Sequence, residues 1–124
     1  MKFHETAEAP DALGPYSQAV SADGWLFTAG QIGLDPGTGQ LVAGGLEAET
    51  ARVLQNLREV LASAGADFSN VVKATIYMTD LGAFGALNSI YQQAMGDHRP
   101  ARSTVEVSDL PKGATVEIDL IAKI

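Results

Sequence analysis

Two charged residues stand in apolar company near the carboxyl end of the chain, and the chemistry is sought there first. Arg102 opens the run Arg102-Ser103-Thr104-Val105-Glu106-Val107, and Glu117 lies between Val116 and Ile118 in Val116-Glu117-Ile118-Asp119-Leu120-Ile121. Both runs alternate β-branched with polar residues, as strands do, and Pro111-Lys112-Gly113 between them is turn chemistry. A guanidinium presents a planar fork of donors that fits a carboxylate, and a carboxyl between apolar neighbours is a candidate acid or base. A period of two puts Arg102, Thr104 and Glu106 on one side of their strand. In the last strand Val116, Ile118 and Leu120 share a face; if they meet a helical layer, Glu117 faces away from it. The plain alternative is a cross-strand or intersubunit ion pair, and composition and periodicity leave that alternative standing.

The remaining candidates are weaker. Tyr16 follows Gly14-Pro15 at a tight corner, where its ring could serve only to fill space. Asn88 falls on the polar flank of a helical stripe, as a local cap or a solvated amide would. His4, in a terminus expected to fray, and His98, in a loop, have no second ligand at metal spacing, so no metal is expected. A serine triad lacks its Gly-x-Ser-x-Gly elbow. The glycine-rich stretch from Gly30 to Gly45 has neither a Gly-Lys-Ser/Thr ending nor dinucleotide spacing, and its single Asp35 cannot furnish a calcium shell. It reads as a turn followed by an ordered loop.

The elements that must position these residues come in the order three strands, helix, strand, helix, strand, strand. Phe3 begins a short extended piece. Ser17–Ser21 and Trp25–Gln31 flank Asp23-Gly24, a strong hairpin signal. From Leu46 to Ala64 the period turns helical, with Thr50, Val53, Leu54, Leu57, Leu61 and Ala64 on one stripe, Glu47 and Glu49 at its positive end and Gly65 just beyond it. Arg52, Arg58 and Glu59 fall on a solvated face. Val71–Thr79 is a strand with Val72, Ala74, Ile76 and Met78 on one side. Asp80 is placed to cap a second helix, whose stripe of Phe84, Leu87, Ile90, Tyr91, Ala94 and Met95 stops at Gly96. Two helical stripes cover one face of such a sheet, which predicts a two-layer α+β sandwich. The other face needs cover, and a second copy of the chain would supply it in a closed symmetric oligomer.

Composition sets the outer bounds. A chain of 124 residues is read as one domain, residues 1–124, and 46% apolar with 19% charged residues is ordinary for a folded protein. Fifteen acidic against eight basic residues leave a net charge of −7 with no basic run. Nucleic acid is therefore not an expected partner, because neutralised phosphates supply most of that affinity. There are no cysteines, so disulfides and thiol nucleophiles are out. With no signal core and no spanning apolar stretch, a cytoplasmic protein with no membrane partner is expected.

Gly14-Pro15-Tyr16, Ala29-Gly30-Gln31-Ile32, Val72-Lys73-Ala74-Thr75-Ile76-Tyr77, Asn88-Ser89-Ile90-Tyr91, and Pro100-Ala101-Arg102-Ser103 through Leu110-Pro111-Lys112 to Val116-Glu117-Ile118 occur in order between about Ala9 and Ala122. In this the chain resembles the RidA (YjgF/YER057c/UK114) family. The resemblance implies a chorismate-mutase-like fold: a six-stranded mixed sheet with two helices on one face, assembled as a homotrimer with clefts between subunits. Composition would pair the last two strands as a hairpin; the resemblance instead places the final strand between the Trp25 and Val71 strands. The activity implied is hydrolysis of reactive 2-imino or 2-enamino acids to 2-keto acids and ammonium, without a cofactor. Arg102 would bind the substrate carboxylate, Glu117 would activate water, and Tyr16, Gly30, Asn88 and Thr104 would line the pocket. Ala29 stands where many members have serine, Thr104 where well-studied deaminating members often have cysteine, and the Gly96–Arg99 loop is shorter, which leaves the substrate range open. Two other roles fit the same resemblance: a non-catalytic trimer that binds small carboxylates as a regulator, and a ribonuclease or translation inhibitor.

Overall fold

The computed structural model describes every residue from Met1 to Ile124. Strands β1 (Lys2–His4), β2 (Ala19–Ala22), β3 (Trp25–Thr28), β4 (Val71–Met78), β5 (Ala101–Glu106) and β6 (Val116–Lys123) form one sheet, and helices α1 (Gly45–Ser63) and α2 (Phe84–Met95) pack on one of its faces. The strand order is β1-β2-β3-β6-β4-β5. Only the β4–β5 pair is parallel, so the sheet is mixed and the architecture is the expected α+β sandwich.

The last two strands are not hairpin partners. β6 inserts between β3 and β4, with Phe27 opposite Ile121 and Ile76 opposite Ile118. The inner faces explain the choice. Val116, Ile118, Leu120 and Ala122 of β6 are all buried in the core cluster, whereas β5 turns Arg102 and Thr104 inward. The all-apolar strand takes the centre and the polar one takes an edge. A short 3₁₀ turn at Pro111–Gly113, with Lys112 in the left-handed region at φ 58°, belongs to the long connection between them.

α1 buries Val53, Leu54, Leu57, Val60 and Leu61 against the sheet, each worth roughly 1.5–3 kcal/mol on complete burial. Gly65, at φ 74°, lies just past its last turn and donates to the Ala62 carbonyl. The Asp23-Gly24 turn has both residues at positive φ, 53° and 81°, which matches the twist of the β2 and β3 strands it joins. Asp80 caps a 3₁₀ turn, Leu81–Ala83, that leads into α2, accepting from the Gly82 N–H at 2.8 Å.

Three expectations need correction. Val72 is exposed and Val71 is buried, because a β-bulge between Val71 and Lys73 shifts the alternation by one residue at the start of β4. His4 does not fray: it sits buried in β1 with its Nε2 2.8 Å from Ser21 Oγ. Arg52 and Arg58 are not merely solvated, since Arg52 Nε donates to Asn56 Oδ1 and the Arg58 guanidinium lies 5.0 Å from the Phe68 ring centroid.

Candidate active site

The predicted site residues fall into two groups, one on each side of the sheet. Ala74 of β4 is opposite Arg102 and Ile76 is opposite Thr104, so both β5 side chains lie on the helix-covered face. Glu117 is opposite Tyr77 and flanked by the buried Val116 and Ile118, which puts it on the open face. β4 separates the two strands. Within one chain, Arg102 and Glu117 are therefore not brought together, and an intrachain ion pair between them is ruled out.

Arg102 stands over α2. Its guanidinium carbon is 5.0 Å from the Tyr91 ring centroid and 5.4 Å from that of Phe84. A cation between aromatic faces loses rotamer freedom and keeps its donors free. Those donors face a cavity of about 360 Å³ lined by Asn88, Tyr91, Gln92, Arg99, Pro100 and Arg102. Four buried side-chain polar atoms in the chain have no hydrogen-bond partner: Asn88 Oδ1 and Tyr91 Oη belong to residues of this cavity's wall, and Thr104 Oγ1 lies two residues from Arg102 on the same side of β5. Buried polar groups are nearly always paired, so these atoms mark a place where something polar is to be bound. Nearby, Arg99 folds back onto the carbonyls of Gly96 and His98, while His98 Nε2 meets the Val71 carbonyl at 2.7 Å.

The second group surrounds Glu117. A cavity of about 560 Å³ is walled by Tyr16, Ala29, Gly30 and Glu117, with Leu13, Ile32 and Leu34 giving it an apolar side and Lys112 at its edge. Gln31 exchanges two backbone hydrogen bonds with Ile118, at 2.9 and 3.1 Å, which lays Gly30 directly over the Glu117 carboxyl. A Cβ on Gly30 would come within 2.5 Å of Glu117 Oε2, so any larger residue there would displace the carboxyl. Tyr16 closes the corner with its hydroxyl 3.3 Å from the Leu13 amide, from which it accepts, and its ring is more than half exposed.

Burial pushes the Glu117 carboxyl above the usual carboxylate range, and Asp119, two residues on along the same face, pushes it further. Asp119 is itself raised by burial, against the pull of the Tyr77 hydroxyl and Lys73. A half-buried carboxyl whose pKa is raised is a stronger base than a free one and can both take and return a proton.

Three buried polar residues that the sequence pattern hid hold this geometry. Gln18 donates to the Pro10 carbonyl at 2.7 Å and accepts from the Thr6 amide at 2.7 Å, fixing the segment that carries Tyr16. Asn56 donates to the carbonyls of Leu34, at 3.0 Å, and Ile32. Glu49 accepts the Thr115 amide at 2.8 Å, just ahead of Glu117, and Gly33 passes so close that a Cβ would lie 2.9 Å from the Glu49 Cα. A polar residue adjoining an apolar helical stripe was the available signal for Glu49 and Asn56. No three His, Asp or Glu side chains converge as a metal site, and no helix is long and apolar enough to cross a membrane.

The architecture defines an α+β protein with a polar cavity on each side of one mixed sheet. Residues 6–124 match the family described as Endoribonuclease L-PSP. The human protein named 2-iminobutanoate/2-iminopropanoate deaminase is 48% identical over 117 residues, 94% of this chain and 85% of the human one. Protein DfrA of Myxococcus xanthus is 51% identical over 117 residues, 93% of this chain and 89% of its own. Among solved structures, RidA from an Antarctic Psychrobacter shares the fold with a TM-score of 0.97 at 37% identity, over the whole of both chains. E. coli TdcF with bound serine does so with a TM-score of 0.95 at 36% identity, over 100% of this chain and 99% of its own. The chain belongs to this family, that of the RidA proteins.

Proposed function

We propose that the protein hydrolyses reactive 2-imino and 2-enamino acids to 2-keto acids and ammonium. The reaction takes place where the Arg102 cavity of one copy meets the Glu117 cavity of its neighbour in a homotrimer. The observation that carries this reading is the division of the chemistry: an arginine among unpartnered polar atoms on one side of the sheet, and a carboxyl of raised pKa on the other. The name of the human relative and the serine bound in TdcF point the same way, to a small ligand bearing a carboxylate beside a nitrogen.

Arg102 holds the substrate carboxylate by two charge-assisted hydrogen bonds, with Asn88 and Thr104 beside it. That fixes the imine carbon at the Glu117 wall and removes much of the entropic barrier to attack. Glu117, as carboxylate, accepts a proton from water as the water oxygen bonds to C2 and the C=N electron pair moves to nitrogen. It returns that proton to nitrogen, giving the carbinolamine. Glu117 then takes the hydroxyl proton and passes it to the amino nitrogen as the C–N bond breaks, so that the carbonyl forms and ammonia leaves, to be protonated to ammonium in solution. Gly30 leaves room for this carboxyl and Tyr16 closes the cleft. An enamine enters the same path after protonation at C3.

The test generates 2-iminobutyrate in situ with an amino-acid oxidase, semicarbazide competing for the free imine. The protein is expected to suppress semicarbazone formation and Arg102→Ala to abolish the suppression. Equal decay with wild type and with Arg102→Ala would remove the enzyme reading. A regulator that binds carboxylates without turnover is the second reading, favoured by a pocket around Arg102 that needs no Glu117; it predicts ligand binding with no effect on imine lifetime. The net charge of −7 weighs against a ribonuclease role.

A further inference from the structure

Tyr91 belongs by its spacing to the apolar stripe of α2, and its ring does pack into the core, only 8% exposed. Its hydroxyl does not suit that role. Oη is buried without a partner, where phenylalanine would fill the same space with no polar atom to satisfy. The residue lines the 360 Å³ cavity together with Arg102, whose guanidinium carbon is 5.0 Å from the Tyr91 ring centroid. One side chain thus presents a π-face to the arginine and carries a buried, unpartnered O–H in the wall of the cavity that the arginine serves.

The three unpartnered atoms differ in what they can do. Asn88 Oδ1 is an acceptor and has nothing to offer a carboxylate. Tyr91 and Thr104 are hydroxyls and can donate. A carboxylate has about four lone-pair sites, of which a bidentate arginine takes two, so further donors are required at the same spot. Burial holds the Tyr91 phenol above its ordinary pKa, although Arg102 and Arg99 pull it down, and at neutral pH it is a neutral donor.

We propose that Tyr91 is a substrate-binding residue: its hydroxyl donates to the carboxylate that Arg102 clamps, while its ring fixes the guanidinium. This rests on the reading that Arg102 binds a carboxylate, but not on turnover. Tyr91→Phe keeps the ring and loses only the hydroxyl; Tyr91→Leu loses both. The probe is 2-oxobutyrate, a keto-acid product, titrated calorimetrically into the assembled protein, with Tm measured in parallel. Tyr91→Phe is expected to weaken binding about tenfold, the scale of a hydrogen bond to a charged group, with Tm unchanged or raised. Tyr91→Leu is expected to weaken it further. Binding by Tyr91→Phe within about twofold of wild type, a fall in Tm without a change in Kd, or no binding by wild type overturns the proposal. Failure to hydrolyse 2-iminobutyrate would remove the enzyme reading and leave this binding comparison standing.

Discussion

The two cavities have opposite electrostatic character. Around Arg102 there are donors in excess: Arg102 and Arg99, the residue Tyr91 with its unpartnered hydroxyl and, two residues along β5, the hydroxyl of Thr104, with no carboxylate in the wall. Around Glu117 there are carboxyls, of Glu117 and Asp11, beside an apolar wall and one rim lysine. Each has what the other lacks for handling an amino-acid-like molecule. A strand stands between them and they open on opposite faces of the sheet, so no side-chain motion within one chain joins them. The proposed cleft between copies would meet this geometry, and it would also cover the open face, where Phe3, Trp25 and Phe27 are exposed.

The largest effects follow from breaking either side. Glu117→Ala is expected to lower kcat/KM by roughly 10²- to 10⁴-fold, the usual worth of general acid-base help, and Arg102→Ala to leave no measurable turnover. Mixing the two inactive variants sharpens the comparison. If each cleft draws its arginine from one copy and its carboxyl from the next, random reassembly of an equal mixture restores about a quarter of wild-type activity, because a quarter of clefts combine two intact sides. A mixture that stays inactive after verified subunit exchange would refute the shared cleft.

Gly30→Ala comes next in size. Its Cβ would lie 2.5 Å from Glu117 Oε2, and the carboxyl must move away. A misplacement of about 1 Å at a reacting group can cost about 10²-fold, and that loss is expected in kcat, with 2-oxobutyrate still bound on the arginine side. Full activity in Gly30→Ala would mean that the position of Glu117 is not critical.

The contrast between the sides also explains what could be read in the sequence. Periodicity sufficed for α1, for the β2–β3 hairpin and for turning Glu117 away from the helices, because each follows from neighbouring residues. It did not reveal that β6 leaves its neighbour β5 to pair with β3 and β4; long-range pairing is decided by which strand has the more apolar inner face, and the family resemblance supplied it. The bulge at Val72 was hidden for a similar reason, since only the partner strand exposes the extra residue. The spacing of Tyr91 marks it as core because its ring is core. An unpartnered hydroxyl is a property of surroundings that no spacing records.

Asp119 offers the finest probe of the carboxyl side. It shares the open face of β6 with Glu117, and its charge is the second cause, after burial, of the raised Glu117 pKa. The other groups facing this pair are Tyr77 and Lys73 from β4, Gly30 from its loop, and Asp11, Tyr16 and Lys112 in the cavity wall. Asp119→Asn removes the like charge and leaves burial in place. The Glu117 carboxyl then ionises at lower pH, so if its carboxylate is the base, the ascending limb of the kcat/KM profile moves to lower pH. Tyr77→Phe is expected to act in the same direction and more weakly: losing the hydroxyl that holds Asp119 down raises the Asp119 pKa, and a less ionised Asp119 repels Glu117 less. A limb that stays in place in Asp119→Asn, or moves to higher pH, would show that the group titrating in catalysis is not Glu117.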